Sequence, residues 1–258
     1  MYSLMPITEE ERVAKMALLN SRPDYILHVV DARNLTRMLP LALELSETGL
    51  KVILVVNMMD EAEREGIAID TGRLSRETGI PVVPTVAVTG RGMNQILYHI
   101  LNYERKNHHD VIPFEPVIEE KMAAIQEMLN GDYTIHSRSL AQLLLQQDKD
   151  ASSLVQERDP GNFSRIRQIV KETEKEVNQS LIYRMKIKIH EDAERISQEV
   201  TTQVKKKRFN FGEKLSGLMT RPLTGVPIML GILYLVFYKF VGVFGAGTFW
   251  RLHRRPGH

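Results

Sequence analysis

The stretch Val52-Ile53-Leu54-Val55-Val56-Asn57-Met58-Met59-Asp60 decides the fold. Five consecutive apolar β-formers without polar alternation read as a strand buried on both faces, the signature of a parallel strand in an open α/β sheet. Such sheets bind ligands beyond the carboxyl ends of their strands, and there the run delivers Asn57 and Asp60 with two methionines between them. The Asp60 carboxylate can accept both the ring N–H and the exocyclic amine of guanine, whereas adenine offers an acceptor at the first position and lacks that amine. Charge-assisted contacts of this kind are worth about 1.5–3 kcal/mol each, enough to choose a base. In that reading Asn57 braces the loop and the base edge, and the stem of Met58 lies over the ring. The same residues also suit an ordinary strand followed by a helix N-cap.

On either side the chain alternates strand and helix. Tyr25-Ile26-Leu27-His28-Val29-Val30 is a second apolar run, closed by Asp31, which can serve a ligand or cap a helix. Leu35 to Glu47 carries Leu35, Met38, Leu39, Ala42, Leu43 and Leu45 at helical spacing, with Gly49 beyond its end. Ile69 to Thr78 predicts a helix stopped by Gly79, Pro81 to Val88 a third strand, and Met93 to Tyr103 a helix after Thr89-Gly90-Arg91-Gly92. Ahead of them, Thr8 is a candidate N-cap for a short amphipathic helix over residues 8–20. This order predicts parallel pairing with right-handed crossovers, but only part of a sheet. The loop Val86-Ala87-Val88 falls where a backbone amide, best that of Ala87, meets the guanine carbonyl.

The chain has 258 residues, no cysteine and a formal net charge of +2. Disulfides, thiolate metal sites and a cysteine nucleophile are therefore excluded, and the charge gives no reason to expect nucleic-acid binding. The amino terminus lacks the basic flank and apolar core of a signal peptide.

From Phe114 the β-runs stop. Ile118, Met122, Ile125 and Leu129 share one helical face, and Leu140, Leu143 and Leu144 mark a second helix over Ser139 to Gln147. After a break at Asp159-Pro160-Gly161-Asn162, apolar residues recur every three or four positions from Ile166 to Val204. This predicts one long helix or two, with a narrow seam that packs on the two shorter helices or recruits a partner as a coiled coil.

Composition then changes. Lys205-Lys206-Lys207-Arg208, Lys214 and Arg221 precede Val226 to Trp250, whose only charge is Lys239. At 1.5 Å per residue that length crosses a bilayer core. The basic flank outweighs Arg251, Arg254 and Arg255, which predicts that the amino-terminal portion lies in the cytoplasm and the span in the inner (cytoplasmic) membrane. Gly242 and Ala246 would allow other membrane helices, or other copies, to pack closely.

Absent chemistry matters as much. No G-x-x-x-x-G-K-[ST] phosphate cradle occurs anywhere in the sequence, so most of the binding energy for a triphosphate and the electrostatic stabilisation of phosphoryl transfer are missing. His108-His109-Asp110 reads as a solvated linker rather than a metal site. No catalytic residue and no metal ligand can be named.

Taken together, Asn57-Met58-Met59-Asp60-Glu61-Ala62 and the strand and loop from Tyr25 to Asn34 resemble the ferrous iron transport protein B (FeoB) family. That resemblance implies a GTP-binding G domain joined to a helical domain and an iron-conducting membrane domain. The family commonly has methionine where most GTPases have lysine, as at Met58. Val86-Ala87-Val88 is similar to its second guanine-contacting loop, with valine at position 86 in place of serine or threonine. Thr220 to Pro227 and Phe240 to Thr248 resemble the two ends of its first membrane span. Tyr2-Ser3-Leu4 resembles the residues just after its D-x-x-G motif, which would place the phosphate loop, first switch and magnesium motif upstream of Met1. Residues 250–258 are unlike the family.

The expected organisation is thus an α/β partial G domain (1–110, a parallel sheet with flanking helices), an all-α helical domain (111–208), a basic juxtamembrane linker (209–225), one transmembrane helix (226–250) and an unrelated tail (251–258). The expected guanine-binding residues are Asn57, Met58, Asp60, Val86, Ala87 and Val88. GTP or GDP would bind weakly or not at all, and Mg2+ is expected only in a complete G domain. Whether the chain is an enzyme is open, because GTPase activity follows from the resemblance while its phosphate and magnesium motifs are absent. Expected partners are guanine nucleotide, the lipid bilayer and the remaining transporter helices. The alternative is a membrane-tethered helical interaction module with a vestigial G domain.

Overall fold

The computed structural model describes residues 9–103, 112–176, 180–203 and 222–238. Residues 1–205 form one compact unit and 206–258 a second.

In the first unit, α1 (Glu9–Asn20) leads into β1 (Ile26–Asp31), α2 (Leu35–Glu47) and β2 (Val52–Asn57), then α3 (Met59–Glu65), β3 (Ile67–Ile69), α4 (Thr71–Thr78), β4 (Val82–Pro84) and α5 (Met93–Leu101). The parallel sheet has the order β1-β2-β4, with Ile26 opposite Val52 and Asp31 opposite Asn57. Val52 to Val56 in the central strand are all buried, as the unbroken apolar run predicts.

In the α/β part, β4, α4 and β3 depart from sequence expectation. The third strand is Val82–Pro84 rather than the whole of Pro81 to Val88. Pro84 has no N–H to offer, and once Thr85 N–H has donated to the Val56 carbonyl the chain leaves the sheet and turns as a 3-10 helix at Ala87–Thr89. The helix expected from Ile69 begins at Thr71, where Asp70 accepts from the Arg73 amide; Ile69 belongs instead to β3. That strand pairs antiparallel with β5 (Thr201–Gln203), a long-range partner that local periodicity does not reveal. The proposed Thr8 cap lies outside the described residues.

The helical part comprises α6 (Pro116–Gln126), α7 (Ser137–Leu145), α8 (Lys149–Arg158), α9 (Pro160–Glu176) and α10 (Leu181–Val200). The helix α8 has no counterpart in the sequence expectation; Asp148 starts it by accepting from the Ala151 amide at 2.8 Å. Among the described residues the apolar seam is carried by two helices and is internally occupied, with Ile166, Val170, Leu181, Met185, Ile189, Ala193, Ile196 and Val200 all buried; Val177 and Val204 lie outside the described residues. Its first half, on α9, packs on α6 and α8. Its second half, on α10, lies along α2 and α4 of the α/β layer rather than on the shorter helices. Thr36 and Ser197 hydroxyls meet at 2.7 Å in that contact. As a result α2, which its sequence marks as amphipathic, is buried nearly all round, because the sheet covers one side and α10 the other. A seam already filled from within removes the observation on which the partner-recruiting alternative stood.

The second unit contains α11 (Pro222–Phe237), sixteen residues long. At 1.5 Å per residue it spans about 24 Å, short of a hydrocarbon core of about 30 Å. Among the described residues no helix is long and apolar enough to cross a membrane. The later part of the expected span, from Lys239, and the His108-His109-Asp110 linker lie outside the described residues.

Candidate guanine-reading site

At the end of β2 the backbone reverses through Met58, which adopts the left-handed conformation at φ 61°, ψ 33°. For a non-glycine residue that conformation costs about 1–2 kcal/mol, and it launches α3 at Met59 with Asp60 and Glu61 in the first turn. Both halves of the opening motif therefore coexist, for Asn57 ends the strand while Asp60 begins the helix. Carboxylates in that first turn also complement the helix dipole.

Asn57 is a joint between strands. Its Oδ1 accepts from the Ala87 amide at 3.0 Å and from Thr85 Oγ1 at 3.2 Å. Met59 N–H closes the same corner on the Thr85 carbonyl at 3.3 Å. The Ala87 amide, expected to meet guanine, is thus brought to the site but engaged by Asn57, so a guanine carbonyl would share or replace that acceptor. Val86 is buried and pairs with Arg91 across the loop, while Val88 is 92 % exposed. Asp60 sits at the rim, its carboxylate 3.1 Å from Arg64 one turn along α3. Met58 is 40 % exposed, which leaves its side chain accessible to a planar ring.

Two residues escaped the sequence reading. Thr85 supplies the hydroxyl and carbonyl that fix the corner. Arg33 acts as a strut, donating to Asp31 from Nε at 3.1 Å and from Nη2 at 2.9 Å, reaching Glu61 at 2.7 Å and lying 3.5 Å from the Met58 sulfur. The Arg33 side chain, helped by its own amide and by Asn34, holds the Asp31 carboxyl below the usual carboxylate range. Asp31 therefore serves as a cap and an ion-pair anchor. The Arg33–Glu61 link is not visible locally, since those two residues meet only because β1 and β2 are neighbours in register. Gly92 completes the loop at φ +89°, where a Cβ would fall 2.4 Å from the Pro84 carbonyl oxygen. Among the described residues no cluster of three histidine or acidic side chains suits a metal.

Residues 1–100 match the family model described as Ferrous iron transport protein B, and residues 114–204 match the FeoB cytosolic helical domain. The chain belongs to the FeoB family. The Fe(2+) transport protein A/Fe(2+) transporter FeoB fusion protein of Porphyromonas gingivalis is 36 % identical over 171 residues, 63 % of this chain and 20 % of the relative. The Fe(2+) transporter FeoB of Staphylococcus aureus (strain MSSA476) is 27 % identical over 239 residues, 92 % of this chain and 36 % of the relative. The chain thus spans about a third or less of the length of these FeoB relatives. Among solved structures, mGMPPNP-bound NFeoB from S. thermophilus is similar with a TM-score of 0.68 and 29 % identity, over 80 % of this chain and 78 % of that one. The FeoB α/β part and helical part therefore succeed one another here in the order the residues predicted.

Proposed function

We propose that this chain is the guanine-reading, membrane-proximal part of a ferrous iron transporter, in which nucleotide state is relayed through the helical part toward the membrane. The observation that carries the reading is the convergence of Asn57, Asp60 and the Ala87 loop at one corner of the sheet. The nucleotide bound by the S. thermophilus relative supports a guanine nucleotide as the ligand. Asp60 selects the base, Asn57 and Thr85 hold the loop, Met58 covers the ring, and Val86, Ala87 and Val88 present backbone to the base edge.

The sequence contains no phosphate cradle, so this polypeptide by itself binds GDP or GTP weakly and does not hydrolyse it; Mg2+ belongs to a complete G domain. It acts as an incomplete portion of the transporter and conducts no iron alone. The exposed apolar side chains of α11, Val226, Met229, Leu230, Leu233 and Phe237 among them, together with the apolar sequence continuing to Trp250, support a single span in the inner membrane. The basic segment before it holds the amino-terminal portion in the cytoplasm. Lipid and the remaining transporter helices are its partners there.

Calorimetric titration of the full chain with GDP tests the reading. The expected affinity is much weaker than micromolar, and micromolar binding would overturn the incomplete-site argument. Where binding is measurable, Asp60→Asn is expected to shift preference from guanine toward xanthine nucleotides by about tenfold or more. An unchanged preference removes Asp60 from base reading.

A further inference from the structure

Between α8 and α9 of the helical part runs a groove of about 550 Å3. Along α9 it is lined from Phe163 to Glu174 by positions that recur every three or four residues, one helical face over about 17 Å. Its floor is apolar, with Ile166 and Val170 buried beneath a half-buried Phe163. Its rim is basic, with Lys149 on the α8 wall and Arg167 and Lys171 on the α9 wall, against a single lining carboxylate, Glu174. All three cations are exposed, and none makes an ion pair among the described residues. By contrast Lys121, Arg138, Arg184 and Lys188 of the same helical part each hold a carboxylate. Gln147, which also lines the groove, ends α7 in the left-handed conformation at φ 57°. Glycine is the least costly residue at such a cap, so here a side chain stands on the groove at a cost of about 1–2 kcal/mol.

We propose that this groove is the docking site for an amphipathic helix with acidic flanks, presented by a partner protein. An apolar stripe at i, i+3, i+4 and i+7 would cover Phe163 and the floor, while carboxylates on its two sides meet Lys149 on one wall and Arg167 and Lys171 on the other. Charge complementarity decides the occupant. An inorganic anion would engage the cations but leave the apolar floor wet, and a flat lipid surface would touch the rim without entering between the helices. The apolar helix α11 of a second copy is a poor occupant, since Pro222–Phe237 contains no carboxylate. Lys149 stands between Asp148 and Asp150, the two carboxylates that hold Lys15 of α1. A helix in the groove would therefore bear on the joint between the helical and α/β parts.

The probe is a synthetic peptide of about fifteen residues, long enough to hold a helix, with leucine at i, i+3, i+4 and i+7 and glutamate on both sides of that stripe. Its fluorescence anisotropy is titrated with the full chain in phosphatidylcholine nanodiscs. Binding at least about tenfold tighter than that of the same peptide with lysine for glutamate is expected. Arg167→Glu with Lys171→Glu is expected to reverse that preference. Lys149→Glu, on the opposite wall, should weaken binding of the acidic peptide by about tenfold, while Arg165→Glu outside the groove leaves it intact. All four side chains are exposed. No binding, equal binding of the two peptides, or a preference unchanged by charge reversal would overturn the proposal. Binding that survives glutamine in place of the leucines would reduce the groove to a charged patch and overturn it too. So would a dimer of the chain alone that Arg167→Glu with Lys171→Glu dissolves, or loss of the peptide once phosphatidylglycerol replaces phosphatidylcholine, which would assign the rim to a lipid surface.

Discussion

Asn57 Oδ1 lies 3.0 Å from the Ala87 amide nitrogen, so one side chain at the end of β2 holds the loop beyond β4. The same oxygen accepts from Thr85 at 3.2 Å. Asn57 and the loop are therefore a single mechanical element, and disturbing one displaces the other.

Asn57→Ala removes both acceptor contacts and leaves the Ala87 N–H without this partner. A loss of about 1–3 kcal/mol in unfolding free energy is expected, measured by urea denaturation. Exchange of the Ala87 amide should accelerate at the same time. An unchanged exchange rate would mean that the loop is held by Val86 and Arg91 instead.

Lys15 is 2 % exposed, with its ammonium 2.6 Å from both Asp148 and Asp150. Burial pushes the Asp150 carboxyl up, but Lys15 and Arg12 outweigh it and hold it below its usual range. Lys15→Met leaves the buried Asp148 carboxylate without its cation and Asp150 with Arg12 alone, and is expected to cost about 3–5 kcal/mol. Adding Asp148→Asn and Asp150→Asn should restore much of that loss in the same denaturation assay, since asparagine still caps α8. No recovery would show that the lysine stem's packing, rather than its charge, fastens α1 to the helical part.

Stability should fall in two separate windows as the solution is acidified. Burial lowers the His28 pKa from its ordinary 6.5, an effect that the Met38 carbonyl only partly offsets. The unfolded chain then takes a proton that the folded chain refuses, so His28's contribution is complete above about pH 6.5 and declines below it. The depressed carboxyls of Asp31 and Asp150 contribute above their ordinary 3.8 and lose that contribution as pH falls further. His28→Leu should flatten the upper slope of a melting-temperature profile and leave the lower one; a profile unaltered near pH 6 would contradict this.

Gly90 and Gly92 both have positive φ, yet they differ in surroundings. A Cβ at Gly90 meets nothing within 4 Å, so Gly90→Ala should cost only the left-handed backbone penalty of about 1–2 kcal/mol. At Gly92 the new carbon would strike the Pro84 carbonyl at 2.4 Å and Thr85 Cγ2 at 2.8 Å, and no rotamer change moves a carbonyl. The Gly92→Ala loss should therefore exceed the Gly90→Ala loss in thermal unfolding. Equal losses would show that the loop relaxes freely away from β4.

What is local in origin was legible in the residues. The apolar run from Val52 to Val56 specified a buried parallel strand, and the spacing of Leu35 to Leu45 specified α2 with its observed ends. The Asn57 and Asp60 pair came with them, because a motif within four residues needs only one strand end to position it. The third strand was overextended because apolar composition carries no information about where Pro84 stops laddering.

What depends on distant partners was decided only by tertiary structure. Periodicity marks α10 as having a seam, but whether α6, α2 or another protein fills it depends on packing, and here α2 and α4 do. Arg33 finds Glu61, Lys15 finds Asp148, and β3 finds β5 across separations at which sequence spacing has no geometric meaning. The stretch from Val52 to Asp60 thus determined by itself a buried strand end that carries Asn57 and, three residues on, Asp60 in the first turn of α3. The positions of Thr85, Ala87 and Arg33 around it were set by sheet register, since hydrogen bonds and ion pairs act over about 3 Å in space however far apart their residues lie in the chain.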